Sequence, residues 1–337
     1  MKPIQEIFSL LNEPRKVVIT THQKPDPDAM GSSLALYHFL ILLGHQVTVV
    51  SPTNWATWLS WMPGADKMVD FELPAQAEKA IAALNNADWL FCLDFNVFTR
   101  TRNLSPKLYE FRGTRVLIDH HQQPDEANFD YGISNTGKSS TAEMVYDFIV
   151  DSGHSDKINI AIAECLYAGV MADTGSFRFA STGASVHSMV AVLKERGLEH
   201  SKIHENIYDN FLENRLRFIG HVLMNRMEVF YEYNTALIAI SKKDLLRFQI
   251  KTGDTEGLVN FPLSIQGIKL SSLVIDRDEE RKWSFRSKGG FDTNTFARKY
   301  FNGGGHFNAS GGRSVDSLDQ TVESFKRAMH ENAEQLQ

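Results

Sequence analysis

Residues 16–28 read KVVITTHQKPDPD, and this stretch indicates the fold class of the first part of the chain. Its first half is short, apolar and rich in β-branched residues, which is typical of a buried strand. Its second half carries a histidine, two aspartates and two prolines, and residues 28–43 then predict a helix that stops before Gly44. A buried strand followed directly by a helix is the repeating unit of a parallel α/β sheet.

Other apolar runs extend this pattern. They predict strands at residues 46–51, 89–93 and 116–118, with a helix over residues 75–84. Alternating strands and helices indicate a parallel sheet with both faces covered, and such sheets bind ligands at the carboxyl ends of their strands. Three of the predicted strands run directly into polar residues, which we therefore expect at one edge of the sheet: His22, Asp94 and the run Asp119-His120-His121.

The rest of the chain predicts a helical connector and a second, smaller α/β domain. Helical patterns cover two segments within residues 139–172, parted at residues 151–153, and continue over residues 185–196 and 204–223. A new pattern then predicts strands at 229–233, 236–240, 269–275 and 282–286, and a closing helix at 317–335. We interpret residues 1–190 as a catalytic, metal-binding domain, 191–224 as the connector and 225–337 as a substrate-binding domain, with the active-site cleft between the two domains.

Composition excludes several classes of protein. The chain has 337 residues, of which 42% are hydrophobic and 23% charged, as in folded globular proteins. Its net charge of −6 argues against a protein that grips a long nucleic acid, which usually needs a basic surface. No apolar run approaches the ~18 residues of a membrane span, and residues 1–13 lack the basic stretch followed by an apolar one that predicts a secretory signal. Cys92 and Cys165 cannot form a disulfide framework and lie in apolar runs as expected core residues. Together these features predict a cytoplasmic protein without a membrane partner.

The segment Asp26-Pro27-Asp28 is a candidate ligand pair. Pro25 and Pro27 favour extended geometry in the residues before them, and we expect them to keep both aspartates out of a helix. Residues two apart in an extended segment point the same way, so the two carboxylates can converge. Asp28 is also a candidate N-cap of the next helix. Taken alone, the segment is more typical of a solvated turn with a helix cap.

Considered together, the polar residues at the strand ends predict a metal centre. Asp173 follows an apolar helical run, and with it the loops offer five carboxylates and two imidazoles: His22, Asp26, Asp28, Asp94, Asp119, His120 and Asp173. Five like charges in one cleft would repel strongly unless cations neutralise them. Carboxylates with imidazole and no thiolate favour Mn²⁺, with Mg²⁺ or Co²⁺ as alternatives. Two such ions about 3.5–4 Å apart suit in-line attack of water on phosphorus.

The second domain has a marker of its own at residues 301–312, FNGGGHFNASGG. The consecutive glycines Gly303, Gly304 and Gly305 allow backbone N–H groups to approach a phosphate closely, and His306 adds a donor. At the end of a predicted strand, Arg286 can bind a phosphate through its two-pronged guanidinium group. A flexible loop and a surface arginine remain the alternative interpretations of these residues.

These motifs resemble the DHH phosphoesterase superfamily. Asp119-His120-His121, together with His22, the Asp26-Pro27-Asp28 segment, Asp94 and Asp173-Thr174-Gly175, is similar to its motifs, and the glycine run with His306 is similar to the accompanying DHHA1 domain. The best match is the bifunctional oligoribonuclease and pAp phosphatase subfamily, the nanoRNases, which residues 139–143 and 174–179 also resemble.

The resemblance implies roles for individual residues. It implies that His22, Asp26 and Asp94 hold one Mn²⁺, and that Asp28, Asp94, His120 and Asp173 hold the other, with Asp94 bridging. Asp119 would orient ligands or join the metal shell, and His121 would contact the scissile phosphate. In the DHHA1 part, the rest of the nucleotide would be held by Arg286, Ser287, Gly303, Gly304, Gly305 and His306.

The function that follows is hydrolysis of short RNA or nucleotides to mononucleotides. Candidate substrates are nanoRNA of two to five residues, dinucleotides such as pApA or pGpG, and pAp; the sequence does not rank them, and it leaves cleavage direction and homodimer formation open. The alternatives are a single-strand exonuclease of the RecJ type, which would usually be longer, and an inorganic pyrophosphatase-like hydrolase, which the glycine marker disfavours. A non-catalytic nucleotide sensor is disfavoured because every expected ligand is present.

Overall fold

The β-branched run at Lys16 forms a strand near the middle of a seven-stranded sheet in the first of two units. The computed structural model describes residues 1–251, 253–277 and 280–337, and the chain divides into the units Met1–Asn210 and Phe211–Gln337. The strands of the first unit are β1 (Lys2–Pro3), β2 (Lys16–Thr20), β3 (Gln46–Ser51), β4 (Val69–Asp70), β5 (Trp89–Leu93), β6 (Thr114–Asp119) and β7 (Tyr131–Ser134).

Helices pack around this sheet. They are α1 (Pro27–Leu42), α2 (Pro74–Asn86), α3 (Ser105–Glu110), α4 (Thr141–Asp151), α5 (Ile160–Asp173), α6 (Ala184–Glu195) and α7 (His200–Tyr208). Short 3₁₀ helices cover Ile4–Asn12, Thr57–Leu59, Ala65–Lys67, Phe98–Leu104, Glu126–Asn128 and Ser155–Lys157.

The sheet is parallel throughout, as the sequence predicts. Its strand order is β1-β7-β6-β5-β2-β3-β4, and each neighbouring pair is parallel. Every residue of the central strand β5 is buried, which explains its unbroken apolar sequence. Because β2, β5 and β6 are neighbours that run in the same direction, the residues that follow them emerge at one edge of the sheet.

Helices α1 and α5 lie against each other, and two glycines allow this close approach. A Cβ atom on Gly31 of α1 would overlap the backbone oxygen of Cys165 in α5. A Cβ atom on Gly169 of α5 would lie 2.8 Å from Oδ1 of Asp28. Because α1 begins and α5 ends at the carboxyl edge of the sheet, this packing places Asp28 and Asp173 beside the strand ends. Cys92 and Cys165 are both fully buried, which confirms their predicted place in the core.

Several sequence predictions differ from the structure. The predicted exclusion of Asp28 from a helix is wrong, because Pro27 is the first residue of α1, a position that needs no N–H donor. The N-cap is Asp26, whose carboxylate accepts from the amides of Asp28 and Ala29. The single helix predicted over 204–223 is two helices, because α7 ends at Tyr208 and the next helix begins at Glu213.

The second unit is built on a mixed six-stranded sheet. Its strands are β8 (Met227–Phe230), β9 (Thr235–Ile240), β10 (Leu270–Asp276), β11 (Arg281–Ser287), β12 (Gly304–Gly305) and β13 (Ala309–Ser314). Their order is β12-β13-β11-β10-β9-β8, and the pair β9–β10 is parallel. The helices are α8 (Glu213–Asn225), α9 (Lys242–Arg247), α10 (Thr293–Tyr300), α11 (Leu318–Glu331) and α12 (Ala333–Leu336), with 3₁₀ helices at Tyr231–Tyr233 and Leu258–Ser264.

An aromatic core holds the second unit together. The rings of Trp283 and Phe285 stack at 5.4 Å, and Phe301 and Phe325 pack beside them. Such pairs contribute about 0.5–1.5 kcal/mol each beyond the apolar area that they bury. The predicted smaller α/β domain is therefore present. Among the described residues of the whole chain, no helix has the length and apolar character needed to cross a bilayer.

Candidate metal centre

The carboxyl edge of the first sheet gathers the residues that the sequence singled out as ligands. His22 follows β2, Asp94 follows β5, and His120 follows β6. Asp26 and Asp28 lie at the start of α1, and Asp173 is the last residue of α5. The six side chains thus come from five different elements whose ends meet at one place.

One group of ligand atoms consists of His22, Asp26 and Asp94, whose ligand atoms lie within 4.8 Å of one another. The Nε2 atom of His22 lies 3.3 Å from Oδ2 of Asp94 and 3.8 Å from Oδ2 of Asp26. The Nδ1 atom of His22 donates to the backbone oxygen of Gln23 at 2.8 Å. That hydrogen bond fixes the ring so that Nε2 is directed toward the carboxylates.

A second group consists of Asp28, His120 and Asp173. The Nε2 atom of His120 lies 3.3 Å from Oδ2 of Asp173 and 3.8 Å from Oδ2 of Asp28. The Nδ1 atom of His120 donates to the backbone oxygen of Lys138 at 3.4 Å. Asp28 is fully buried, which is rare for a carboxylate that is not paired with a cation or strong donors.

Asp94 stands between the two groups. Its Oδ2 faces His22, while its Oδ1 lies 3.4 Å from Nε2 of His120. The backbone of Asp94 has a φ of +64°, a left-handed conformation that is strained for most residues and that aspartate tolerates better. Strain of this kind persists only where the surrounding structure enforces it, and here it turns the carboxylate of Asp94 toward both groups.

The run Asp119-His120-His121 divides its side chains between two tasks. While His120 belongs to the second group, Nδ1 of His121 donates to Oδ1 of Asp119 at 2.8 Å and lies 3.7 Å from Oδ1 of Asp94. Asp119 is fully buried, and its Oδ2 has no hydrogen-bond partner among the described residues. A buried carboxylate oxygen without a donor is costly, so the site has an unmet demand for positive charge or a donor.

The pKa values show the same demand. Burial lowers the pKa of His22, but contacts with Asp26 and Asp94 outweigh it and raise the value to about 10. In the same way, burial is outweighed by Asp94 at His120, whose pKa rises to about 9. Burial, with the charges of Asp94 and Asp173, raises the pKa of Asp28 well above its usual value. In the protein alone, protons on these groups supply the positive charge that a bound cation would supply instead.

The donor set fits divalent cations. Carboxylate and imidazole groups without thiolate suit Mn²⁺ and similar ions. Asp94 belongs to the first group through Oδ2 and also faces His120 of the second group through Oδ1. His22, Asp26 and Asp94 would hold one ion, and Asp28, Asp94, His120 and Asp173 the other.

Two residues beside this centre were assigned no role from the sequence. Thr141, the first residue of α4, donates from Oγ1 to Oδ1 of Asp94 at 2.9 Å. Arg100 donates to the backbone oxygen of Asp94 at 3.4 Å, and together with burial its charge lowers the pKa of His121. Thr141 begins a helix after a serine with a glutamate three residues later, a helix-start pattern that could have drawn attention to it. Arg100 lies in an irregular 3₁₀ segment that carries no such signal.

The residues predicted for substrate binding in the second unit are neighbours in its sheet. Arg286 and Ser287 end β11, and Arg286 pairs with Ala309 of β13, the strand that follows the glycine run. The hydroxyl of Ser287 donates to the backbone oxygen of Phe291 at 2.7 Å. These contacts place the end of β11 beside the segment that contains His306.

Backbone packing explains much of the glycine run. Gly304 and Gly305 form β12, which pairs with β13, so the segment is a short strand and not a flexible loop. A Cβ atom on Gly303 would overlap the backbone oxygen of Gly311. Of the three glycines, Gly305 has a positive φ, +152°, and its N–H donates to Oδ1 of Asn294 at 2.9 Å.

Comparison with known proteins gives the chain a family context. A model of the DHH family, N-terminal domain, matches residues 16–170, and a model of the DHHA1 domain matches residues 234–335. The bifunctional oligoribonuclease and PAP phosphatase NrnA of Bacillus subtilis is 28% identical over 306 residues, which cover 90% of each chain.

Solved structures agree with these matches. An exopolyphosphatase-related protein from Bacteroides fragilis has a TM-score of 0.92 and 36% identity, with 98% of this chain and 96% of that chain covered. RecJ from Thermus thermophilus in complex with Mn²⁺ has a TM-score of 0.57 and 12% identity, and the match covers 99% of this chain and 55% of RecJ. The likeness to RecJ is one of fold.

Proposed function

This chain belongs to the DHH family and is a hydrolase of phosphoester bonds, and from that premise we propose that it degrades short oligoribonucleotides, dinucleotides or pAp to mononucleotides. The observation that carries the proposal is the meeting of His22, Asp94 and His120 with three further aspartates at one sheet edge. The name of the Bacillus subtilis relative supports the choice of substrates.

The proposed centre holds two Mn²⁺ ions, or Mg²⁺ or Co²⁺ in their place. Such ions activate water and stabilise the oxygens of the phosphoryl group when bound. The Mn²⁺ in the related fold of RecJ and the donor set of this chain both support that assignment. The ligands that we assign to the two ions are His22, Asp26, Asp28, Asp94, His120 and Asp173.

We assign the handling of the scissile phosphate to His121 and Asp119. The hydrogen bond from Nδ1 of His121 to Asp119 fixes the ring, and we assign contact with a phosphate oxygen to Nε2. A carboxylate that accepts from one nitrogen of an imidazole also orients the second nitrogen, as in other catalytic His–Asp pairs. His121 would thereby bind the phosphate while the metal ligands position the ions.

We assign the remainder of the substrate to the second unit. Arg286 offers a guanidinium group and Ser287 a hydroxyl, and the segment Gly303–Gly305 with His306 offers backbone and imidazole donors. The net charge of −6 supports short substrates, since a protein that binds a long polyanion usually presents a basic surface. We expect the protein to work in the cytoplasm.

The test is a hydrolysis assay with Mn²⁺ on pAp and on RNA of two to twenty nucleotides. We expect pAp and RNA of two to five nucleotides to be cleaved rapidly and longer RNA slowly. Equal rates at all lengths would contradict the proposal for short substrates. A trinucleotide labelled at its 5′ end, with the products resolved over time, gives the direction of cleavage.

The same assay separates the alternatives. Faster cleavage of long single-stranded DNA than of dinucleotides would indicate a RecJ-type exonuclease. Faster hydrolysis of inorganic pyrophosphate than of any nucleotide would indicate a pyrophosphatase-like enzyme.

A further inference from the structure

We propose that residues 138–143, which lead into and form the first turn of α4, orient the ligands of the metal centre from outside, and we call this segment the clamp. Within it, Thr141 is a positioning residue that sets the orientation of the Asp94 carboxylate. The inference rests on the proposed function insofar as it takes Asp94 as the ligand shared by two ions. It goes further by assigning a role to residues 138–143, which supply no metal ligand themselves.

The first contact of this clamp is with Asp28. The backbone amides of Thr141 and Ala142 donate to Oδ2 and Oδ1 of Asp28 at 2.7 and 2.9 Å. These amides are at the start of an eleven-residue helix, where N–H groups lack partners within the helix and the helix dipole favours a negative charge. Both oxygens of the fully buried Asp28 are therefore fixed by α4.

The second contact is the hydroxyl of Thr141 with Asp94. Its Oγ1 donates to Oδ1 of Asp94 at 2.9 Å, and both side chains are buried. A hydrogen bond to one oxygen restricts rotation of the carboxylate, so it determines which oxygen faces His22 and which faces His120. Second partners of this kind orient ligands, and their loss typically costs 10–100-fold in metal affinity.

The clamp is held in place by Glu143. Its carboxylate is 2% exposed and accepts from the amide and hydroxyl of Ser139 at 2.9 and 2.8 Å. It also accepts from the hydroxyl of Ser185 at 2.7 Å and from Nζ of Lys138 at 3.1 Å. The backbone oxygen of Lys138 accepts from His120, so this segment contacts an imidazole ligand as well as the carboxylate ligands Asp28 and Asp94.

Capping of α4 alone does not account for Thr141. The cap is supplied by Ser140, whose hydroxyl accepts from the amide of Glu143 at 3.0 Å. The hydroxyl of Thr141 donates instead to Asp94, which lies 47 positions earlier in the sequence. A threonine needed only to start the helix would have no reason to make this contact.

The experiment compares the full-length protein with Thr141→Val and Thr141→Ser, using Mn²⁺ alone as the ligand. Calorimetric titration gives the affinities, and electron paramagnetic resonance of the loaded protein reports the magnetic coupling between the two ions. We expect Thr141→Val to weaken Mn²⁺ binding by about 10–100-fold and to change the coupling. Thr141→Ser retains the hydroxyl and is expected to stay within about threefold of the wild type.

A matched control separates positioning from stability. Thr321 of the second unit is also a buried threonine, and its hydroxyl accepts from the indole of Trp283 at 3.0 Å. Thr321→Val is expected to lower the free energy of unfolding without changing Mn²⁺ affinity. If Thr141→Val fails to fold, Thr141→Ala replaces it in the same comparison.

The outcomes distinguish this inference from the function on which it rests. Wild-type affinity and coupling in folded Thr141→Val would overturn the clamp while leaving the proposed function intact. Equal weakening in Thr141→Ser and Thr141→Val would also overturn it, because the hydroxyl would then have no specific effect. A wild-type protein that binds no Mn²⁺, Mg²⁺ or Co²⁺ would overturn the proposed metal centre itself.

Discussion

Asp94 is a buried carboxylate that contacts both histidine ligands of the site, His22 and His120. Burial raises the pKa of its carboxyl group, but contacts with His120 and His22 outweigh burial and hold the pKa well below its usual value. A carboxylate that stays ionised while 2% exposed is prepared to bind cations without first losing a proton. The left-handed backbone conformation of Asp94 costs conformational energy, and it directs the carboxylate toward both histidines.

Replacing Asp94 with asparagine should therefore abolish most activity. Asparagine retains the shape but removes the negative charge that both groups of ligands share, and we expect turnover to fall by more than about 100-fold together with weaker Mn²⁺ binding. Asp88 is a matched control, because it precedes the same strand at the opposite edge of the sheet, where it accepts from the amide of Lys16 at 2.8 Å. Asp88→Asn should retain turnover within a few-fold; near-normal turnover in Asp94→Asn would refute the ligand assignment.

The environment of His45 leads to a prediction about how the free energy of unfolding depends on pH. It is buried, its Nδ1 accepts from the amide of Arg15 at 3.1 Å, and its Nε2 donates to the backbone oxygen of Leu11 at 2.9 Å. Burial lowers the pKa of His45, so the folded state favours the neutral ring. This contribution to stability is complete above the unfolded pKa of about 6.5 and is lost as the pH falls through the folded pKa.

The comparison for His45 is between the wild type and His45→Gln in denaturant unfolding at several pH values from 8 to 5. We expect the wild type to be more stable at pH 8 and the difference in unfolding free energy to shrink as the pH falls. A difference that grows toward pH 5 would mean that the folded state favours the charged ring. Using the difference removes the contributions of the other histidines.

The sequence predicts residues at strand ends better than it predicts their partners. His22, Asp94 and His120 were expected together because each follows a strand of one parallel sheet, and both imidazoles do lie within a few ångströms of the Asp94 carboxylate. The role of Thr141 could not be predicted, since its hydrogen bond to Asp94 depends on how α4 is packed against the sheet. A contact made across 47 residues leaves no local pattern in the sequence.

At the level of elements, strands with strong apolar patterns were predicted closely. Strands that form only because they pair with neighbouring strands were not predicted. Residues 46–51 and 89–93 have the predicted bounds. Strand β13 was missed because its sequence, ASGGRS, has low strand propensity. Its glycines are explained by packing, since a Cβ atom on Gly312 would lie 2.7 Å from Cβ of Phe301. Such a strand exists because of its tertiary surroundings.

The packing of α1 on α5 leads to a prediction about Gly31. A methyl group at this position would meet the backbone oxygen of Cys165, which cannot move without shifting the helix. We expect Gly31→Ala to lower the free energy of unfolding by about 1–3 kcal/mol, as other overpacked cores do. Equilibrium unfolding in denaturant, followed by circular dichroism, measures the change.

Gly220 provides the opposite case for comparison. It lies in the interior of α8, is exposed, and has no atom within 4 Å of an added Cβ. Alanine there should stabilise the protein by about 0.5–1 kcal/mol, because it reduces the conformational freedom of the unfolded chain. If Gly31→Ala stabilises the protein as Gly220→Ala is expected to do, the steric explanation for Gly31 is wrong.

On the scale of the whole molecule, the two units have separate cores. The core clusters of the first unit run from Ile4 to Ile207, and those of the second from Phe218 to Leu336. A unit with its own core is expected to fold by itself. The sequence predicted a parallel α/β domain and a smaller α/β domain because their strand patterns differ.

The division into units gives a prediction about two fragments, residues 1–210 and 211–337. The proposed ligands run from His22 to Asp173, so the first fragment should bind Mn²⁺ with an affinity within about tenfold of the full chain and hydrolyse a small phosphodiester such as bis(p-nitrophenyl) phosphate. The second fragment should unfold cooperatively and bind no Mn²⁺ of comparable affinity.

Substrate length should then separate the roles of the two fragments. Arg286 and His306 are absent from the first fragment, so it should cleave RNA of two and of twenty nucleotides at similar slow rates, whereas the full chain prefers the shorter RNA. Preference for short RNA in the first fragment would show that the second unit does not hold the substrate. Folding and metal binding are measured independently of hydrolysis. A first fragment that is folded but binds no Mn²⁺ would therefore show that a ligand outside residues 1–210 is required.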